Sequence, residues 1–135
     1  MTNILLDVNQ TGVTLTANQN FLGLYTSAGA KLAQTADLST VWTSTGEPTT
    51  HALTGAPISV TGGADVFVYV MILTNGSTGV GLRGLPTGAL QREMGLVAGT
   101  FRNAYDTFSG ATALPASFTP GSTAVDNAYY WCGLS

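Results

Sequence analysis

The sequence predicts an all-β chain, a single antiparallel β-sandwich of jelly-roll type with little helix, and three observations carry that prediction. Val, Thr, Ile, Phe and Tyr recur in short runs that Gly, Asn, Pro and Ser interrupt about every ten residues. No stretch keeps a 3.6-residue apolar period for three turns. The 135 residues amount to one domain, residues 1–135, large enough to bury a core without disulfides or a metal.

The first expected strands are residues 4–8, 13–16 and 21–26. Polar alternation in "GVTLTANQNFLGLYTSAGAK" suits a sheet with one wet face. Residues 38–43 and 58–60 follow as shorter strands. The strongest element is residues 66–74, in "DVFVYVMILTNG". Val66, Val68, Val70 and Ile72 alternate to one face, and Phe67, Tyr69, Met71 and Leu73 to the other. A strand apolar on both sides needs cover on both. An opposing sheet about 10 Å away supplies one cover, and a helix, a long loop or a neighbouring subunit must supply the second. With so little helix, a neighbour is favoured, which makes Val66, Val68, Val70 and Ile72 candidate subunit contacts.

Beyond that strand, "TGALQREMGLVAG" has room for a helical turn or two, and residues 100–105 read as another strand. "SGATALPASFTPGSTAVDN", with Pro115 and Pro120, reads as a long loop lying over the body. Residues 128–134 close the fold as a last strand. Alternation there sets Ala128, Tyr130, Cys132 and Leu134 on one face, opposite Tyr129, Trp131 and Gly133. A cysteine in that setting reads as a small buried hydrophobe.

Composition excludes several function classes. Charged residues make up 8% and apolar ones 44%, the reverse of a disordered chain. Lys31, Arg83, Arg92 and Arg102 are the only side-chain cations and the formal charge is -3, too little to neutralise a phosphate backbone. Nucleic acid is therefore not expected as a partner. The run "VFVYVMIL" falls far short of the roughly 20 residues of a membrane-spanning helix, and no membrane role is expected. The opening "MTNILLDVNQ" lacks the basic segment of a secretory leader, so synthesis in the cytoplasm is expected. A single cysteine makes no internal disulfide and offers no metal-cluster spacing, so neither metal nor cofactor is expected.

"GVGLRG", residues 79–84, spells the dinucleotide fingerprint after a strong strand. Nucleotide binding needs a helix to start within it, and Pro86 and Gly88 oppose one. Asn75-Gly76 reads as a hairpin turn; it also spells, with Ser77, a glycosylation sequon that a cytoplasmic chain does not present to the machinery. Cys132, His51 and Asp126 can be drawn as a nucleophile, base and orienting acid, but His51 sits in "EPTTHALTG", which reads as a surface loop. The carboxylates Asp7, Asp37, Glu47, Asp65, Glu93, Asp106 and Asp126 are scattered without a glycosidase-like pair. No catalytic residue is assigned. Trp42, Tyr129 and Trp131 are candidate carbohydrate or partner contacts, with core packing as the competing use of the same rings.

The strand and glycine loop "VYVMILTNGSTGVGLRG", the stretch "ALPASFTP" and the ending "YYWCGLS" resemble the C-terminal β-sandwich domain of virion proteins from phages of actinobacteria. Such domains occur on head decoration or fibre proteins and on minor tail proteins. The resemblance spans residues 66–135. It implies a non-enzymatic virion protein displayed in multiple copies, commonly a homotrimer, that contacts the major capsid protein or other virion proteins. The family domain is usually appended to a longer tail protein, whereas this chain begins with its own methionine, so a decoration protein is expected over a tail or head-fibre adhesin that binds a host cell-surface glycan. A surface poor in charge also suits a subunit that docks symmetrically on its neighbours.

Overall fold

The computed structural model describes residues 1–43, 45, 48–55, 57–59, 68–85, 104–105, 110–120, 124–125, 129–130 and 132–135. Its sheets are antiparallel, and no helix occurs among these residues. The strands are β1 (Asn3–Leu6), β2 (Val8–Gln10), β3 (Val13–Leu15), β4 (Phe21–Tyr25), β5 (Lys31–Gln34), β6 (Thr49–Ala52) and β7 (Tyr69–Leu73). They continue as β8 (Gly76–Thr78), β9 (Gly81–Leu82), β10 (Gly84–Leu85), β11 (Ala104–Tyr105), β12 (Ala124–Val125), β13 (Tyr129–Tyr130) and β14 (Cys132–Leu134).

Long-range pairing is nested. β4 pairs with β7, β3 with β8, β2 with β9 and β1 with β14, each antiparallel. Two arms of the chain thus run side by side, and their corners are held by polar side chains. At residues 16–20 the buried Asn20 donates Nδ2–H to the Thr16 carbonyl at 2.7 Å and accepts the Asn75 N–H at 2.9 Å. Those bonds satisfy backbone groups where one ladder stops and the next starts, the requirement any buried bend must meet. Asn75 in turn donates Nδ2–H to the Ala111 carbonyl at 2.6 Å.

The Asn-Gly pair is therefore not a hairpin tip. β7 ends at Leu73 and β8 pairs with β3 rather than with β7, so Asn75 and Gly76 carry the chain from one sheet into another. In the glycine motif, Gly81 and Leu82 pair with β2, and Gly84 and Leu85 with β13. The motif is strand where a nucleotide site needs a helix N-terminus, which removes that reading.

The core collects Ile4, Leu6, Val8, Leu22, Leu24, Ala33, Leu38, Trp42 and Leu53. Leu22 and Leu24 face it from β4, and their register partners Ile72 and Val70 on β7 pack against it too, as does Val68. This corrects the reading of Val68, Val70 and Ile72 as subunit contacts: they pack onto their own chain. Val66 lies outside the described residues.

The opposite face of the β5–β4–β7 sheet carries Tyr25 and Tyr69, and the strap of residues 110–120 lies across it. Phe118 meets Tyr25 and Tyr69 edge-on, with ring centroids 5.4 and 5.2 Å apart. The fully buried Tyr25 donates its hydroxyl to the Pro115 carbonyl at 2.8 Å, and burial pushes its phenol up to about 12. Lys31 N–H donates to Ala116 O at 2.9 Å, and Phe118 N–H to Gly29 O at 3.0 Å. Gly23 lets Leu114 come this close, because a Cβ there would stand 2.8 Å from Leu114 Cδ1. Of the helix, loop or neighbouring subunit considered as the second cover of the double-sided strand, the chain itself supplies the loop, where the sequence alone favours a neighbour.

Two further expectations are corrected. Residues 38–42 form a turn, with the N–H groups of Val41 and Trp42 both donating to the Leu38 carbonyl at 3.0 Å. β6 occupies the stretch around His51 that reads as a loop in sequence, paired to β1 from Asn3↔Ala52 to Leu6↔Thr49. The helical turn considered for residues 87–99 lies outside the described residues.

Candidate functional site

The residues singled out for chemistry fall around the β14–β1–β6 sheet. Leu6 of β1 is opposite Thr49 of β6 on one side and Cys132 of β14 on the other; Ile4 is likewise opposite His51 and Leu134. Residues opposite one another share a face, so His51 and Cys132 lie on the same side of the sheet. Strand β1 stands between them, which at about 4.8 Å per strand separates their backbones by roughly 10 Å. That is too far for a thiol to pass its proton to the ring.

The local bonds point the same way. His51 is 3% exposed, a correction to its reading as a surface residue, and its Nε2 is 2.8 Å from Thr49 Oγ1. Thr49 has one hydroxyl proton, and the Leu6 carbonyl at 3.4 Å is a second acceptor within its reach. The Thr49–His51 bond is the shorter of the two, and the ring tautomer sets which partner donates in it. Burial lowers the affinity of this ring for a proton. Trp42 packs edge-on against it, with centroids 6.2 Å apart.

Cys132 is exposed on β14, contrary to its expected place in the core. Its strand is paired to β1 alone among the described residues, and a strand at a sheet margin cannot cover its own side chains. Burial of the sulfur by its neighbours nonetheless pushes the thiol up. A catalytic cysteine needs the opposite shift. Asp126, the third member of the drawn set, lies outside the described residues.

Trp42 is 1% exposed and belongs to the core, so it offers no ring to a sugar. This corrects its candidacy as a carbohydrate contact; the turn at residues 38–42 swings the indole inward where an extended strand would have left its direction to alternation. Tyr129 is on β13, paired with Leu85. Trp131 lies outside the described residues.

Two carboxylates have fixed roles. Asp7 Oδ2 accepts from Arg83 Nε at 2.7 Å, and its carbonyl accepts the Arg83 N–H, which closes the ribbon where β1 passes into β2. For Asp37, burial raises the carboxyl. Donation from the Ser39 hydroxyl and from the Asn18, Asn20 and Ser39 N–H groups outweighs burial and leaves it below the ordinary range. The Asp37 carboxylate is thus not poised to exchange a proton near neutrality. No group of His, Cys, Asp and Glu able to hold a metal occurs among the described residues.

What the surface does offer is apolar. Val13 is 50% exposed and Val41 47%, and the Gly12 N–H donates to the Trp42 carbonyl at 3.4 Å, drawing their two segments together. Neither valine stands out in the sequence, because each is one β-branched residue in a polar stretch. No protein family, curated protein or solved structure matches this chain.

Proposed function

We propose that the chain is a non-enzymatic structural protein of a phage virion, a decoration protein that assembles as a homotrimer on the head against the major capsid protein. The observation that carries this reading is the exposed Val13 and Val41 pair on a surface nearly free of charge. Burying such side chains stabilises an interface by about 25 cal/mol per Å², and few ionic groups need to be desolvated with them. The nested ladders from β1–β14 to β4–β7 support a jelly-roll-like arrangement, since a long ribbon folded back on itself produces that order of pairs. The ionisable groups described above serve the fold, which fits a structural role better than a catalytic one. Adhesion to a host glycan is the weaker reading, because Trp42 is committed to the core.

Sedimentation of the purified protein, alone and with emptied capsids, tests the proposal. An oligomer that co-sediments at a stoichiometry set by the capsid lattice is expected, and a Val13→Asp, Val41→Asp double variant that stays folded should lose both properties. A monomer that ignores capsids overturns it.

A further inference from the structure

His51 is the chain's single histidine, and the fold buries it. It occupies β6, one of the two strands that flank β1, and shares its face of the sheet with Ile4, Leu6, Thr49, Leu134 and Cys132. Trp42 closes the other side of the ring. Its hydrogen-bond partner is the Thr49 hydroxyl, 2.8 Å from Nε2.

We propose that His51 makes the β14–β1–β6 sheet an acid-sensitive clasp: in mildly acidic solution its ring takes up a proton, leaves its place behind Trp42 and releases β6 from β1. The proton comes from solvent and goes to whichever ring nitrogen the neutral tautomer leaves bare. The resulting cation would sit beside Ile4, Leu6 and Trp42 with no counter-charge among the described residues. Asp7, which follows β1, is already paired with Arg83; the titratable group on β14 is the neutral thiol of Cys132. The turn that supplies Trp42 also contains Ser39, while Asp37 before it is held by Ser39 and backbone N–H groups. The ammonium of Met1 donates to the Ile58 carbonyl at 2.8 Å. No described carboxylate lies within ion-pairing distance of the ring. A buried, unpaired cation is strongly disfavoured, and the protein relieves it by opening.

The release reaches both ends of the chain. β1 holds β14 through Ile4↔Leu134 to Leu6↔Cys132, and Asn3 and Ser135 exchange backbone hydrogen bonds beyond it. Freeing β6 exposes the central strand of this sheet, so the two termini lose their support together.

Linkage fixes the sign. Burial lowers the folded ring's proton affinity from its ordinary value of 6.5, so the unfolded chain binds the proton first as pH falls. The stabilising effect of a neutral ring is complete above that value and declines below it. Urea unfolding between pH 7.5 and 5.0, followed by circular dichroism, should show the unfolding constant rising toward ten-fold per pH unit below the ordinary histidine value, the limit for uptake of one proton. In His51→Gln, which keeps a donor for Thr49 but cannot become charged, that slope should vanish. An equal slope in the variant overturns the proposal. Should the variant fail to fold, NMR titration of the His51 ring in the unaltered protein decides: titration below the ordinary value supports the clasp, and titration at or above it refutes it.

Discussion

Replacing Gly29 by alanine tests whether the strap of residues 110–120 is held from beneath, and Gly55 supplies the control. Both glycines have left-handed backbone, with φ of 84° and 79°. An alanine in that conformation costs roughly 1–2 kcal/mol at either site. The two differ in surroundings. A Cβ on Gly55 meets nothing within 4 Å, whereas one on Gly29 would overlap the Phe118 carbonyl oxygen and stand 3.0 Å from Pro120 Cδ. Because the obstacle is backbone, the strap itself must lift, straining the Phe118–Gly29, Lys31–Ala116 and Tyr25–Pro115 bonds. At about 1 kcal/mol for each of two or three such bonds lost, Gly29→Ala should destabilise by about 3–5 kcal/mol in total, against about 1–2 for Gly55→Ala. Against a typical stability of about 5–15 kcal/mol, the first is a large loss. Urea denaturation of the two variants side by side measures the difference directly. Equal losses, within about 0.5 kcal/mol, would mean that the strap yields freely and does not cover the sheet as described.

Two further outcomes follow from single residues. Thr14 has φ of 48° in β3, an unfavourable conformation for a β-branched side chain; Thr14→Asn, which tolerates it, should raise stability by about 0.5–1 kcal/mol, and a lower urea midpoint would contradict the strain. Cys132 should label completely with a maleimide in the native protein because it is exposed, but more slowly than a small free thiol at neutral pH because its thiol is pushed up. Faster labelling than the free thiol would revive a nucleophilic role.

Alternation and turn residues were enough to read the all-β class and the strap, because both depend on local signals. "DVFVYVMILTNG" is apolar on both faces whatever covers it, and the proline-rich stretch after Gly110 cannot pair as a central strand. Structure departs from local signals where a long-range contact overrides local character. Residues 38–43 have strand-like composition, yet Leu38 gives its N–H to Asn20, and its carbonyl gathers two later N–H groups into a turn. β6 holds a single apolar residue besides His51, so only its register with β1 makes it a strand. The position of Cys132 depended on whether β14 lies inside or at the margin of its sheet, which alternation does not encode. For the proposed contact surface, exposure of Val13 and Val41 is a property of the assembled fold and has no counterpart in spacing.

The nested ladders also impose a sequence of events on folding. Joining β4 to β7 closes the shortest of the nested loops and brings the start of β8 beside the end of β3, with Asn20 and Asn75 at the corner. Each pairing then shortens the loop that the next must close, so β2–β9 and finally β1–β14 form at a lower entropic cost than either would alone. Such a chain folds slowly, since its contacts are far apart in sequence. Substitutions at the Asn20 corner should therefore slow folding, whereas those along β14 should mainly speed unfolding.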